Sequence, residues 1–146
     1  MDTPGNSWLS AALAVLKANL LTAAGEHNTL HLVAQAFAPS PSLDPTTLTV
    51  PTYDGYAPLN IDTFSVEHLL PNGNYVINSL TAPAFVPTGS TTSNTIYGWF
   101  LLDTQMNVVS MGLLPAPKVM GTPADVLIIV PSVGMGLPQV TSTILP

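Results

Sequence analysis

The chain has 146 residues, enough for one domain with a buried core, and its lack of cysteine excludes disulfide scaffolds, thiol catalysis and cysteine-ligated zinc. Only 7% of its residues are charged, arginine is absent and the formal net charge is −6. Because binding to nucleic-acid phosphates or anionic lipids requires clusters of lysine and arginine, we expect neither nucleic acid nor a membrane as a partner. A surface with few charges packs against other subunits without desolvating ions, which favours permanent assembly.

The first predicted element is a helix that begins after Ser7 as its N-cap and runs to about Ala23. Its leucines recur at helical spacing and form an apolar stripe, whereas Ser10 and Asn19 lie mostly away from that stripe. Because Lys17 and Asn19 interrupt the apolar run near its middle, we favour packing on the domain or on a neighbouring subunit over a membrane span. The candidate interface residues in this segment are Trp8, Leu9, Leu13, Leu16 and Leu20.

A series of short strands is predicted after Gly25, where the spacing of apolar residues changes from helical to alternating. Many short strands with a single helix at the beginning predict a mainly β fold, an antiparallel β-sandwich or jelly roll of about eight strands with an N-terminal α-helix. We expect residues 1–28 to form an N-terminal arm and helix, and residues 29–146 to form a single β-sandwich domain. The predicted strands are 29–37, 47–53, 59–66, 75–80, 95–103, 108–114, 125–130 and 139–145.

Proline, glycine and asparagine mark the connections between these strands. Residues 38–46 are predicted to form an extended proline-rich loop, and the Asp-Gly pair at 54–55 to form a turn. The Pro-Asn-Gly-Asn run at 71–74 predicts a tight hairpin, because Asn-Gly readily adopts positive φ angles. Residues 115–123 are predicted to be a connection rich in proline and glycine, and 133–138 to be a flexible glycine connection.

The strand at 95–103 is predicted to lie at the centre of the fold. Alternation divides its residues between two faces, and both faces are apolar enough to be covered by other layers. Residues 103–107 turn the chain into the next strand, so 95–114 is predicted to form one long hairpin. One face carries Ile96, Gly98, Phe100 and Leu102, and the other carries Tyr97, Trp99 and Leu101.

The residues with catalytic or ligating side chains are few and dispersed. Glu26, His27 and His31 form a cluster of ligand types, but on a strand the two histidines stand about 13 Å apart, too far for one metal ion. We therefore favour surface or interface histidines over a metal site. Turn formation explains the carboxylates better than paired acid–base catalysis, with a calcium site at Asp54 and Asp62 as the alternative. No cofactor, metal or enzymatic activity is predicted.

Three segments in order resemble small β-rich virion proteins encoded in the structural gene blocks of tailed bacteriophages. They are Thr-Val-Pro-Thr-Tyr-Asp-Gly-Tyr-Ala at 49–57, Asn-Thr-Ile-Tyr-Gly-Trp-Phe-Leu-Leu-Asp at 94–103 and Asp-Val-Leu-Ile-Ile-Val-Pro at 125–131. The resemblance implies a capsid decoration or cement protein, or a part of a fibre or tail, and many such proteins are trimers. It brings no catalytic residues, and the N-terminal helix lies outside the matched region.

From this resemblance we expect a non-enzymatic virion structural protein, a cement protein that binds the major capsid protein and stabilises the shell. We also expect a homo-oligomer, a trimer, on the outer surface of the capsid. The alternative is a tail or head fibre component that binds a receptor or carbohydrate, with Tyr53, Tyr56 or Trp99 as stacking platforms. Tyr53 and Tyr56 therefore join the candidate interface residues, although the sequence does not distinguish residues of the core from residues of an interface.

Overall fold

The structure, a computed structural model, describes residues 26–65, 68–69, 71 and 75–135. The predicted N-terminal helix and the predicted strand at 139–145 lie outside the described residues. Most of the predicted turn at 71–74 does as well.

The described part of the chain contains nine strands and one short 3₁₀ helix at Pro45–Thr47. Every pairing between these strands is antiparallel, so the prediction of a mainly β, antiparallel fold is confirmed. The strands are β1 (Thr29–Val33), β2 (Leu59–Asn60), β3 (His68–Leu69), β4 (Tyr75–Asn78), β5 (Ala84–Phe85), β6 (Asn94–Leu102), β7 (Val108–Met120), β8 (Leu127–Ile128) and β9 (Ser132–Met135).

These strands form three sheets. The largest has the order β2-β1-β6-β7, the second has the order β3-β4-β9, and β5 pairs with β8 alone. The predicted hairpin at 95–114 is confirmed, since β6 pairs with β7 along most of its length. On its other side β6 pairs with β1, where Leu32 faces Trp99. The predicted central strand therefore has a neighbour on each side.

Both faces of β6 are buried, as the sequence predicts. Leu101 belongs to the larger core cluster, which also takes side chains from the other two sheets, such as Ile77 and Phe85. Phe100 and Leu102 belong to a second cluster on the opposite face. That second cluster is completed by Val33 and Leu48, with Phe37, Leu43, Val108 and Met111 packed against it.

The predicted division of β6 between two faces is wrong at Ile96. Ile96 was expected to share a face with Phe100, but it packs with Leu101 in the larger cluster. The reason is a break in the β6–β7 ladder, in which Ile96 pairs with Lys118 whereas Gly98 pairs with Leu113. A bulge of this kind shifts the alternation of side chains by one residue.

The same bulge explains why β7 extends beyond its predicted end at Leu114. Pro115 and Pro117 were expected to end the strand, because proline cannot donate a hydrogen bond to the ladder. Both prolines lie among four residues of β7 that stand opposite a single residue of β6, Tyr97. The ladder is already interrupted there. Pairing resumes at Lys118 and continues to Met120, so the prediction of a connection at 115–123 is wrong up to that point.

The predicted strand at 47–53 does not form. One backbone hydrogen bond, from the Ala34 amide to the Thr49 carbonyl, joins this segment to the end of β1. The Thr49 amide instead donates to the side-chain oxygen of Gln35, and Pro51 has no amide hydrogen to offer. A side chain therefore takes a position that the backbone of a second strand would occupy.

Two further expectations near the C-terminal end differ from the structure. The segment 125–130, wholly apolar from Val126 onward, was predicted to be a buried strand, yet only Leu127 and Ile128 are in a strand, and Ile128 is exposed. The segment predicted to be a flexible glycine connection begins with β9, which pairs with β4 and sets Gly134 opposite Val76. Both differences arise from pairing with residues distant in the chain.

We predict that Gly98→Ala destabilises the fold by about 1–3 kcal/mol, as expected for overpacking. A Cβ at this position would overlap the carbonyl oxygen of Gly112 and lie 2.6 Å from the ring of Phe37. Gly112→Ala is the matched control, because the three atoms nearest to its added carbon all belong to the Trp99 ring, at 2.9 Å, and a side chain can shift where the Gly112 backbone carbonyl cannot. Chemical denaturation of the variants should rank Gly98→Ala as the less stable one, and the reverse order would contradict the close approach at Gly98.

Candidate functional site

His27 and His31 belong to one cluster of ligating residue types in the sequence, but each has its own partner in the structure. The Nδ1 atom of His27 lies 2.6 Å from Asp62 Oδ2, and Asp62 Oδ1 accepts a hydrogen bond from the Asn28 amide. The ring of His31 stacks on Phe100 with centroids 4.8 Å apart, and burial lowers the pKa of His31. Within the described ranges, no group of three or more ligating side chains is arranged to hold a metal ion.

Four of the described carboxylates lie in turns and accept backbone amide hydrogen bonds, as the sequence analysis predicted, whereas Asp62 contacts His27 and the Asn28 amide. Asp103 accepts hydrogen bonds from the amides of Gln105 and Asn107 and holds the β6–β7 turn. Asp125 accepts hydrogen bonds from the amides of Gly121 and Thr122, and these bonds lower the pKa of its carboxyl group. Asp44 and Asp54 likewise accept backbone amide hydrogen bonds, from Thr46 and Thr91 respectively.

An apolar hollow of about 320 Å³ lies on the outer side of the second cluster, beside His31, Leu48 and Phe100. His31 is the one ionisable side chain in its lining, and the Nε2 atom of that ring lies 2.9 Å from the hydroxyl of Thr29. The rest of the lining is apolar except for Thr46.

Tyr53 and Tyr56, two of the candidate interface residues, point into the chain itself. Tyr53 is 3% exposed and belongs to the larger core cluster, and the half-buried Tyr56 packs against that cluster. Their rings meet edge to face at 5.4 Å, and Tyr56 also stacks near Phe85. The hydroxyl of Tyr56 accepts a hydrogen bond from the Leu32 amide at 3.0 Å. Of the two roles open to Tyr53, core and contact, the structure places it in the core.

The predicted turn at Asp54 and Gly55 is present and holds these two tyrosines in place. Gly55 has a φ of +82°, a conformation that favours glycine, and a Cβ there would overlap the side chain of Thr88. The Asp54 carbonyl accepts a hydrogen bond from the Thr88 amide at 2.8 Å. The turn is therefore locked against the loop that precedes β6.

The other five candidate interface residues lie outside the described residues. They are Trp8, Leu9, Leu13, Leu16 and Leu20.

Two exposed apolar surfaces were not found by sequence reasoning. The first consists of Leu113 and Val119, which are 53% and 58% exposed on β7, at the edge of the four-stranded sheet. The second is the outer face of the β5–β8 pair, which we call the β5–β8 outer face. Its members are Ala84, Val86, Val126, Ile128 and Val130.

The β5–β8 outer face is defined by strict alternation. Phe85 pairs with Leu127 and both are buried, whereas Ala84 pairs with Ile128 and both are exposed. This alternation cannot be read from the sequence, because residues 126–130 are all apolar and each of them is compatible with a buried strand. No signal within residues 126–130 would have separated the two faces.

No protein-family model, curated protein or solved structure was found to match this chain. Among the described residues there is also no helix with the length and apolar character needed to cross a bilayer.

We predict that Tyr56→Phe lowers the free energy of unfolding by about 1–2 kcal/mol, because the buried Leu32 amide loses its acceptor. Tyr53→Phe is the control, since the Tyr53 hydroxyl has no hydrogen-bond partner among the described residues. Urea denaturation followed by fluorescence would measure both variants. Equal losses would show that the Tyr56 hydroxyl does not fasten its turn to β1.

Stability should also fall in alkaline solution. Burial, reinforced by the neighbouring Tyr56, raises the pKa of Tyr53 to about 12, whereas an unfolded tyrosine ionises near 10. The stabilisation is complete below pH 10 and is lost as the pH rises towards 12, because the unfolded chain releases its proton first. We expect the thermal midpoint of Tyr53→Phe to depend less on pH in this window. Parallel curves for the two proteins would contradict the assignment.

Proposed function

We propose that the chain is a non-enzymatic structural protein of a virion, a capsid decoration or cement protein that binds the major capsid protein and stabilises the shell. The observation that carries the proposal is the pair of exposed apolar side chains, Leu113 and Val119, on the edge strand of a chain with 7% charged residues. The resemblance of the three sequence segments to virion proteins supplies the biological setting.

The low charge of the surface supports assembly on energetic grounds. Desolvating an ion costs several kcal/mol, and that cost often cancels the gain from pairing it. Uncharged contacts avoid this cost, and a standard interface of about 1,600 Å² then draws mainly on apolar burial. Repeated many times over a shell, such contacts hold neighbouring capsid subunits together without requiring high affinity at each one.

The distribution of titratable groups in the described residues gives no support to catalysis. The carboxylates of Asp103 and Asp125 are occupied by backbone amides in their own turns. His31 is stacked on Phe100, and His27 is paired with Asp62 near the start of β1. A catalytic site brings such groups together, whereas here they are held apart by structural roles.

The fold that best accounts for the core is an antiparallel β-sandwich. In it the four-stranded sheet would pack across the larger core cluster against the β3-β4-β9 and β5-β8 sheets. The composition of that cluster supports this arrangement, because it joins side chains from all three sheets, including Leu30, Ile77, Phe85 and Val133. Such a scaffold presents rigid edges and loops to partners.

Self-association into a trimer is part of the proposal, with β7 as the contacting edge. Pro115 and Pro117 lie in this strand and lack amide hydrogens, so they hinder direct strand addition by another chain. Leu113 and Val119, which flank the prolines, remain exposed. Contact between copies would therefore use side chains of β7 instead of a continuous hydrogen-bonded ladder.

The alternative function, a fibre module that binds a receptor or carbohydrate, needs exposed aromatic rings as stacking platforms. Tyr53 is buried, and Tyr56 is half-buried with its hydroxyl engaged by Leu32. Trp99 is partly buried against the larger cluster. The three rings considered for stacking are thus used within the chain, which favours the cement protein over the fibre module.

We predict that Val119→Asp weakens both self-association and binding to capsids that lack the protein by at least about tenfold, because an unpaired carboxylate would be buried at the contact. The exposed Ser90 provides a matched control, since Ser90→Asp adds the same charge away from β7. Light scattering measures the mass of the purified variants, and co-sedimentation with capsids measures binding. Circular dichroism verifies that both variants keep the fold.

The role in the particle is tested by heating capsids with and without the wild-type protein and measuring genome release. We expect capsids with the protein to withstand higher temperature. Equal resistance would remove shell stabilisation as the function. Location of the protein at a tail tip, with none on heads, would favour the fibre module instead.

A further inference from the structure

The apolar hollow beside His31 has the size and lining of a small-molecule pocket. Its volume of about 320 Å³ falls within the range of ligand pockets, which begins at roughly 300 Å³. Its floor consists of buried side chains of the second cluster, Leu48, Phe100 and Leu102. Its rim carries Val50 and Met106, which are 39% and 66% exposed. The hollow therefore combines a buried apolar floor with an exposed rim.

The lining of the hollow carries no fixed charge. His31 is its one ionisable side chain, and burial lowers the pKa of that ring from its ordinary value of 6.5, so the imidazole is neutral at pH 7. An anion or a cation would lose its hydration on entering the hollow without gaining a partner of opposite charge. The lining therefore favours an uncharged ligand.

His31 supplies a hydrogen-bonding group at a fixed position. Its ring stacks on Phe100 with an angle of 2° between the ring planes, and its Nε2 atom lies 2.9 Å from the Thr29 hydroxyl. Among the described residues, the Nδ1 atom of this ring has no hydrogen-bond partner. A hydroxyl group pairs with Nδ1 in either tautomer, because a hydroxyl both donates and accepts. The other polar side chain of the lining, Thr46, already donates its hydroxyl to Asp44.

The backbone of Met106, on the rim, is held in an unfavourable conformation. Its φ is 68°, in the left-handed region that side chains other than those of asparagine and aspartate rarely adopt. The turn enforces this conformation, because the Met106 amide donates to the Asp103 carbonyl and the amides of Gln105 and Asn107 donate to the Asp103 carboxylate. Backbone strain of this kind clusters at ligand sites, and a methionine side chain adapts to apolar partners of different shape.

The volume of the hollow sets the size of the ligand. A closed apolar cavity of roughly 150 Å³ holds one benzene molecule, so 320 Å³ accommodates a molecule of the size of naphthalene. Apolar walls offer water few hydrogen bonds, and an apolar group that displaces such poorly held water gains affinity. A mainly apolar molecule is therefore the occupant that matches the lining.

We infer that the hollow binds an uncharged, mainly apolar molecule of about the size of naphthalene, with one hydroxyl group hydrogen-bonded to Nδ1 of His31. The neutral lining determines the charge of the ligand, the volume determines its size, and His31 determines its polar group. The inference goes beyond the proposed assembly role and is independent of it, because the lining includes neither Leu113 nor Val119.

Two probes with the same rings test the class of ligand. 2-Naphthol carries the hydroxyl group, and naphthalene is the matched control without it. Equilibrium dialysis at pH 7 should show saturable binding of both, about three- to tenfold tighter for 2-naphthol, as expected for one net hydrogen bond. Naphthalene-2-sulfonate, an anion of similar size, should bind at least about tenfold more weakly than 2-naphthol, because its charge has no partner in the hollow.

Substitutions locate the binding. Val50→Phe fills the hollow from its rim and should weaken the binding of both probes by about tenfold or more. Val86→Phe is the matched control, because Val86 is 40% exposed, as Val50 is at 39%, and lies outside the lining. His31→Phe keeps a ring beside Phe100 but removes the nitrogens, so naphthalene should still bind while the preference for 2-naphthol disappears. This preference is a ratio within one variant and stays measurable if that variant is less stable.

Several results would overturn the inference. If the wild-type chain shows no saturable binding of 2-naphthol, the hollow is not a site for this class of ligand. Equal affinities of Val50→Phe and Val86→Phe would place the binding elsewhere, and an unchanged preference in His31→Phe would show that His31 does not hold the hydroxyl. Absence of binding, together with a lower mass of Val50→Phe in light scattering, would assign the hollow to a second copy of the chain.

Discussion

The burial of β6 on both faces is the constraint on which the rest of the structure depends. A strand packed on both faces must satisfy its backbone polar groups through its neighbours, and β1 and β7 flank it. At Gly98 the approach of the Gly112 carbonyl and the Phe37 ring leaves no room for a side chain. The bulge beside it turns Ile96 into the larger cluster, so that one strand contributes to two separate cores.

Many polar and aromatic side chains of the described residues hold turns and strands together, and this determines which side chains remain on the surface. Asp103 holds a turn, His31 stacks on Phe100, and the side chains of Tyr53 and Tyr56 fasten a turn to the core. What is left outside is polar but largely uncharged, with apolar side chains on the edge of β7 and on the β5–β8 outer face. The proposed assembly role accounts for the first of these two surfaces.

The candidate site was only partly predictable, and the reason lies in how burial is decided. Asp54 and Asp103 stand beside Gly55 and in the run between two strands, so their roles in turns follow from local sequence. Whether Tyr53 is a core or a contact residue depends on where its turn docks, and that is decided by Thr88 and Leu32, which are remote in the chain. The β5–β8 outer face was not predicted, because residues 126–130 show no alternation of apolar and polar side chains from which an exposed face could be recognised.

The sequence by itself determined the mainly β class, the hairpin from 95 to 114 and the tight turn at 54–55, because these depend on neighbouring residues and on local backbone preference. Tertiary structure alone decided that β7 continues past Pro115, that 47–53 stays irregular and that Gly134 lies in a strand. Each of these outcomes is set by a partner distant in sequence, either through a bulge that tolerates a missing amide or through a side chain that replaces a strand. Such partners are chosen by packing, and no local pattern encodes them.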